Sequence, residues 1–213
     1  MSKPIIYGPS YSPYVRTARL ALEEKGAAYE LVPIDIISGA HKQPDVLARN
    51  PFGKLPALTH DGLTLYETSA ITRYIDRTLP GPPLQPQSTR EAARVDQVMS
   101  IVDSFTYPSV MGQLVWQRLI VPMLKGQPDE AVVAASLPQT RLCLSEFGRL
   151  LNGDTWFGGR SLSLADLHLA PLMAYLAMTP EGPSLLAAEP EMAGWWDRVS
   201  SRRSMTATQP QFA

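Results

Sequence analysis

The stretch that most restricts the fold runs from Asn50 to Asp76: Asn50-Pro-Phe-Gly-Lys-Leu-Pro-Ala-Leu-Thr-His-Asp-Gly-Leu-Thr-Leu-Tyr-Glu-Thr-Ser-Ala-Ile-Thr-Arg-Tyr-Ile-Asp76. Asp61-Gly62 stands between two short apolar runs, Pro56 to Thr59 and Leu63 to Tyr66. Such a dipeptide accepts the positive φ of a tight turn, so the stretch predicts an antiparallel hairpin. Glu67-Thr68-Ser69 is polar and able to cap, and Ala70, Ile71, Tyr74 and Ile75 follow at helical spacing, so a helix starts where the second strand stops. The free amides and positive dipole end of that helix favour a bound carboxylate. Glu67, just before it, can hold an ammonium group, and a zwitterionic ligand satisfies both.

Upstream, Ile5, Ile6 and Tyr7 read as a first strand and Gly8-Pro9-Ser10 as a loop. Ser12-Pro13 then opens a helix with Val15, Ala18 and Leu22 on one face, and Gly26 closes it. A second strand is expected over Tyr29 to Ile36. Strand, helix, strand, loop, hairpin and helix is a thioredoxin-like order, and its right-handed crossover gathers strand ends and ligands at one edge.

Between Leu79 and Gln87 four prolines forbid a continuing helix and mark an interdomain connection. The expected division is therefore a thioredoxin-like α/β domain over 1–79, a linker over 80–87 and an all-α domain over 88–213. Ser88 to Glu91 has capping-box spacing, and the helical register beyond it should kink or divide at Pro108. Ser163 and Asp166 form a second capping box, flanked by a staple between Leu162 and Leu167. Asp166 is assigned a structural role there, and His168 a place on the same core helix. Trp195-Trp196 belong to a last helix, and the chain after Met205 is expected to fray.

Composition narrows the function classes. A chain of 213 residues with 45% hydrophobic residues and net charge -1 has ample core and no basic block, which leaves nucleic acid and anionic membranes without an electrostatic footprint. The N-terminus reaches Gly8 after three apolar residues, too short for a signal-peptide core, and no apolar run approaches membrane-spanning length. A cytoplasmic protein is expected. Cys143 is the only cysteine, so there is no intrachain disulfide and no thiolate-based metal site. Its neighbours Leu142, Leu144, Phe147, Leu150 and Leu151 put it in a core, and no metal is expected.

The run Asn50-Pro-Phe-Gly-Lys-Leu-Pro-Ala57, followed by Leu65-Tyr-Glu-Thr-Ser-Ala-Ile71 and Tyr74-Ile75, resembles the glutathione-binding half of the glutathione transferases, phi class above all. The resemblance implies that Pro56 is cis and turns the backbone at Leu55 toward the cysteinyl part of glutathione, and that Glu67 and Thr68 hold its other end. It implies that His41 and Lys42 face the glycine carboxylate. Lys54 stands where phi sequences usually have Gln, and Thr68 where they have Ser. It would also make Asp129 to Leu151 one helix, in which Pro138 is expected to cause a bend or break.

Glutathione chemistry requires a thiolate, and a thiol of pKa about 8.5 is only about 3% ionised at pH 7. One hydrogen bond to the charged sulfur, at about 1.5 to 3 kcal/mol, lowers that pKa by about one to two units. Tyr7, Ser10, Tyr11 and Ser12 compete to donate it. In the phi class a Gly after the first strand precedes the thiol-activating Ser by four residues and an Arg by eight. Gly8, Ser12 and Arg16 occupy those places, so the resemblance makes Ser12 the catalytic candidate. Ser12 also suits an N-cap, and the two roles are compatible, because the cap uses the oxygen as an acceptor and leaves its proton for sulfur.

The reaction so implied is attack of glutathione on a hydrophobic electrophile, as in detoxification, with organic hydroperoxide reduction as a variant. Phe105, Val110, Met111, Trp116 and Tyr175 are the candidates for the electrophile pocket, although an apolar stripe at helical spacing also serves as plain core. Phe52, in an exposed loop, suits insertion into a second subunit of a homodimer. A noncatalytic carrier of apolar ligands on the same fold is the alternative.

Overall fold

The structure is a computed structural model that describes residues 2–210. It divides into two compact units, Met1–Leu84 with Arg202–Ala213, and Gln85–Ser201.

The first unit is built on a four-stranded sheet in the order β2-β1-β3-β4. β1 (Ile5–Tyr7) runs parallel to β2 (Glu30–Val32) and antiparallel to β3 (Ala57–His60), which pairs antiparallel with β4 (Leu63–Tyr66). Asp61 (φ 48°) and Gly62 (φ 81°) both take the left-handed conformation that a two-residue hairpin turn requires. This is the thioredoxin-like arrangement expected from the order of elements. β2 is shorter than the expected Tyr29 to Ile36. Pro33 has no N–H to continue the ladder, and Asp35 then folds the chain into a turn by accepting from the Ile37 N–H at 2.8 Å.

The helix α1 (Pro13–Glu24) is capped by Ser12, and Gly26 at φ 66° ends it. A 3₁₀ turn (Ala40–Lys42) and the short α2 (Pro44–Leu47) lead back to the hairpin, and α3 (Thr68–Thr78) follows β4 directly. Lys25, at the end of α1, is buried. Its Nζ donates to the carboxylate of Asp76 (3.1 Å) and to the carbonyls of Asp76 (3.0 Å), Gly81 (3.4 Å) and Pro82 (3.0 Å). That knot ties the ends of α1 and α3 to the proline-rich connection.

In the second unit Ser88 caps α4 (Thr89–Ile101) by accepting from the Glu91 N–H. From Val102 the turns widen into a π-helix that runs to Ile120 and passes into α5 (Val121–Met123). Of the two outcomes expected at Pro108, a kink or a division, the division does not occur. The loosened ladder starts before the proline, and the hydroxyls of Thr106 and Ser109 donate to the carbonyls of Ile101 and Phe105 within it, a substitution for backbone bonds that bends helices rather than ending them. Pro138 likewise does not interrupt α6 (Glu130–Leu151). Its ring lies on the exposed side, and the buried stripe Val133, Ser136, Thr140, Cys143, Leu144 and Phe147 outweighs a proline cost of about 3 kcal/mol.

α7 (Leu164–Ala177), α8 (Gly182–Ala187) and α9 (Pro190–Ser200) complete this unit. Asp166 lies fully inside it and accepts from Ser163 N (2.8 Å), Ser163 Oγ (2.7 Å), Phe157 N (3.2 Å) and Trp195 Nε1 (2.8 Å). Burial pushes its carboxyl up against the pull of those donors. Asp166 thus joins α7, α9 and the turn at Phe157; His168 is buried on α7 and Cys143 on α6. The fraying expected after Met205 does not occur through Thr208: α10 (Arg203–Ala207) forms, and Met205 and Thr208 are buried in the first unit. Residues 211–213 lie outside the described residues. No helix among the described residues is long and apolar enough to cross a membrane.

Candidate functional site

The sheet register sets the site. Tyr7 pairs with Val32 and with Ala57, and Ala57 pairs with Tyr66. The residues just beyond that row, Gly8, Pro56 and Glu67, therefore share one edge, and the Leu55-Pro56 bond is cis. Gly8 is at φ 140°, and a Cβ there would lie 2.5 Å from Val15 Cγ2 and 3.3 Å from Leu55 Cβ. Only glycine permits this approach of β1, the first turn of α1 and the loop before Pro56.

Ser12 sits half-buried at the head of α1, where its Oγ accepts from the Val15 N–H at 3.4 Å and its carbonyl accepts from the Arg16 N–H at 2.9 Å. The cap bond uses the oxygen as acceptor and leaves the hydroxyl proton to be donated elsewhere. The Tyr7 hydroxyl is paired with Thr59 Oγ1 at 3.2 Å, and its ring lies under the Arg49 guanidinium at 4.4 Å. Burial pushes the Tyr11 phenol up, and the Asp35 charge adds to this against a backbone bond from Ile36.

The loop between α2 and β3 is shaped by Asn50, a buried residue whose role the sequence reading did not assign. Its side-chain amide donates to Lys54 O (2.8 Å), and its Oδ1 accepts from Phe52 N (3.1 Å). The Asn-Pro-Phe-Gly run was the available signal, since Asn is the residue that bonds its own neighbouring backbone in turns. The closed loop holds Phe52 outward, 70% exposed and edge-on to Tyr66. Gly53 turns at φ 61°, and a Cβ there would lie 3.5 Å from the His41 carbonyl, so the 3₁₀ turn carrying His41 and Lys42 rests against the loop carrying Lys54. His41 is half-buried with Nδ1 shielded and unbonded among the described residues. Lys42 and Lys54 are exposed.

Glu67 is the backbone outlier of the edge, at φ 69° and ψ 117°. A non-glycine residue held there costs about 1 to 3 kcal/mol, a strain found where a chain is shaped for a ligand. Its side chain is exposed and makes no cap bond to α3, while Thr68 behind it is buried. The edge thus carries an anion-favouring helix start and the exposed Glu67 carboxylate, with the turn of Ser12 brought beside it through Gly8 and the loop of Lys54 adjoining at Leu55. A tripeptide bearing an ammonium group, two carboxylates and a thiol matches that set.

Within the second unit, Val110 and Tyr175 are buried, Met111 is half-buried, and Phe105 and Trp116 are 54% and 47% exposed. No group of three or more His, Cys, Asp or Glu suited to a metal ion occurs among the described residues.

Residues 6–83 match the family model described as the glutathione S-transferase N-terminal domain, and residues 98–203 the glutathione S-transferase C-terminal domain. The chain belongs to the glutathione S-transferase family. Its similarity within the family is to the phi class: glutathione S-transferase 3 of Zea mays is 36% identical over 205 residues, covering 95% of this chain and 91% of its relative. Glutathione S-transferase I from maize, solved in complex with an atrazine glutathione conjugate, superposes with a TM-score of 0.86 at 34% identity, over 97% of this chain and 96% of that one. A glutathione S-transferase I solved with lactoylglutathione gives a TM-score of 0.88 at 33% identity, over 97% and 98% of the two chains.

Proposed function

We propose that this protein conjugates glutathione to hydrophobic electrophiles and that Ser12 holds the glutathione sulfur as thiolate. The observation that carries the reading is the placement of Ser12 at the head of α1, where the contact of Gly8 with Val15 and Leu55 brings that turn to the sheet edge bearing Glu67. The relatives solved with lactoylglutathione and with an atrazine conjugate support glutathione as cosubstrate and electrophiles as partners. Glu67 and Thr68 then take the γ-glutamyl end, His41, Lys42 and Lys54 the glycine carboxylate, and Leu55 and Pro56 the cysteinyl backbone. Phe105, Val110, Met111, Trp116 and Tyr175 remain the candidates for the electrophile's apolar contacts, the exposed Phe105 and Trp116 first among them.

Sulfur attacks an electrophilic carbon, the carbon–sulfur bond forms as the leaving group departs with its electron pair, and no metal is required. In hydroperoxide reduction the same thiolate attacks the terminal peroxide oxygen, the O–O bond breaks and the alcohol departs as it takes up a proton, and the glutathione sulfenic acid so formed condenses with a second glutathione to give the disulfide and water. A homodimer in the cytoplasm belongs to the proposal. It is supported by Phe52, exposed on the loop that Asn50 closes, and is checked by sedimentation at micromolar concentration. The deciding experiment measures turnover of a general aromatic halide and of cumene hydroperoxide beside glutathione affinity. Conjugation of the halide is the expected result, and glutathione binding with neither turnover overturns the enzymatic reading in favour of a carrier.

A further inference from the structure

α1 carries three charged side chains that a surface helix would turn to water: Arg16 and Arg19 are buried, and Glu24 is nearly so. All three bond to a part of the chain that follows them by 178 to 192 residues. Arg16 donates from Nη2 to Met205 O (2.9 Å) and from Nε to Thr208 Oγ1 (3.3 Å). Arg19 donates to Thr208 O (3.4 Å) and Ala207 O (3.3 Å), and to the Tyr29 hydroxyl (3.1 Å). Glu24 accepts from Arg202 Nε (2.7 Å) and Nη2 (2.6 Å) and from Ser204 Oγ (2.5 Å). Three of the acceptors of the two arginines, the carbonyls of Met205, Ala207 and Thr208, lie at the end of α10, where a helix leaves its last C=O groups without intrahelical donors. A guanidinium fork satisfies several of them at once.

The first rung of α1 runs from Arg16 N to Ser12 O at 2.9 Å, so the turn that presents the Ser12 hydroxyl is the turn that Arg16 pins to the C-terminal segment. We infer that Arg16, anchored on Met205 and Thr208, is a positioning residue that sets where the Ser12 hydroxyl points. The inference rests on the role proposed for Ser12. A hydrogen bond to sulfur is directional, and small displacements of a reacting group are costly in rate. Losing the anchor therefore loosens that bond without removing any group that binds glutathione.

The test titrates the thiolate absorbance of bound glutathione against pH in wild type, Arg16→Met, Thr208→Val, Ser12→Ala and the Ser12→Ala/Arg16→Met double variant. Arg16→Met is expected to raise the bound-thiol pKa by about half a unit, about threefold in the thiolate equilibrium, and to lower kcat near neutrality by a similar factor with KM for glutathione little changed. Thr208→Val removes one anchor, keeps the charge and should shift the titration in the same direction by less. It decides the question if Arg16→Met does not fold. In the Ser12→Ala background the Arg16 substitution should add nothing, because its effect passes through that hydroxyl. A lower melting temperature with an unmoved titration in Arg16→Met, or in Thr208→Val if it alone folds, makes the contact structural only and overturns the inference while leaving Ser12 in place. An unmoved titration in Ser12→Ala itself overturns the Ser12 reading, and the inference with it.

Discussion

Replacing Ser12 by alanine separates two roles that meet in one oxygen. The cap bond to Val15 N is 3.4 Å long, beyond the usual range for an N–H to oxygen bond, so its loss should cost about 0.5 kcal/mol, the low end for an N-cap. A hydrogen bond from the hydroxyl to an anionic sulfur is larger, about 1.5 to 3 kcal/mol. Divided by about 1.4 kcal/mol per pKa unit, its loss raises the bound-thiol pKa by about one to two units. Turnover at neutral pH should fall by about 8- to 25-fold, as the thiolate fraction drops from about 25 to 75% to about 3%, with little change in affinity, the signature of an interaction made by the ionised state. The assay is the pH titration of bound thiolate absorbance in folded wild type and variant, with melting temperatures measured alongside. A titration that does not move, beside a lowered melting temperature, would refute the catalytic role and leave Ser12 a cap. Ser10 and Tyr11, and then Tyr7 with its hydroxyl on Thr59, would become the candidates.

Glu67→Ala should weaken glutathione binding by about 1.5 to 3 kcal/mol through loss of a charge-assisted acceptor; Glu67→Gly should lose the same affinity yet gain stability, because glycine accepts φ 69° without strain. Isothermal titration and thermal melts check both, and unchanged affinity would remove Glu67 from the site. Lys25→Met strips a buried partner from Asp76 and should cost about 3 to 5 kcal/mol, with Lys25→Met/Asp76→Leu recovering much of it; urea unfolding of the three proteins shows whether it does. Burial opposes the charge on Glu24, but the bonds from Arg202 and Ser204 prevail and hold its carboxyl below the usual range. A depressed carboxyl stabilises the fold above its unfolded pKa of about 4.3, and that contribution is lost as pH falls through the lower folded value. Glu24→Gln should therefore cost about 1 to 2 kcal/mol at pH 7, and the gap to wild type should close below about pH 4; a gap independent of pH would refute the pairing.

The parts of this fold that were legible in the amino-acid order are those fixed by neighbours a few residues apart. Asp61-Gly62 makes its turn, Ser12-Pro13 and Gly26 bound α1, and Ser163 meets Asp166, because φ preference and capping act within one turn of chain. The candidate glutathione residues were legible through the resemblance to the family, except for Glu67 and the start of α3, whose charge and free amides suit a zwitterion by themselves; the hairpin register then carries Pro56 and Glu67 to one edge. The early end of β2 is written in Pro33, which has no N–H to continue the ladder.

Tertiary structure alone decided the rest. Whether a helix survives a proline depends on what its other face buries, so Pro138 and Pro108 could not be judged from the residues beside them. Asn50 became a structural post only when its loop closed around it. The inward charges of α1 look, in sequence, like those of a solvated helix, and they acquire a purpose from carbonyls of Met205, Ala207 and Thr208 that the chain delivers only after the second unit has been traversed. No local signal can announce such a contact, because the free energy that selects it arises from desolvating and pairing groups that are neighbours only in the folded state.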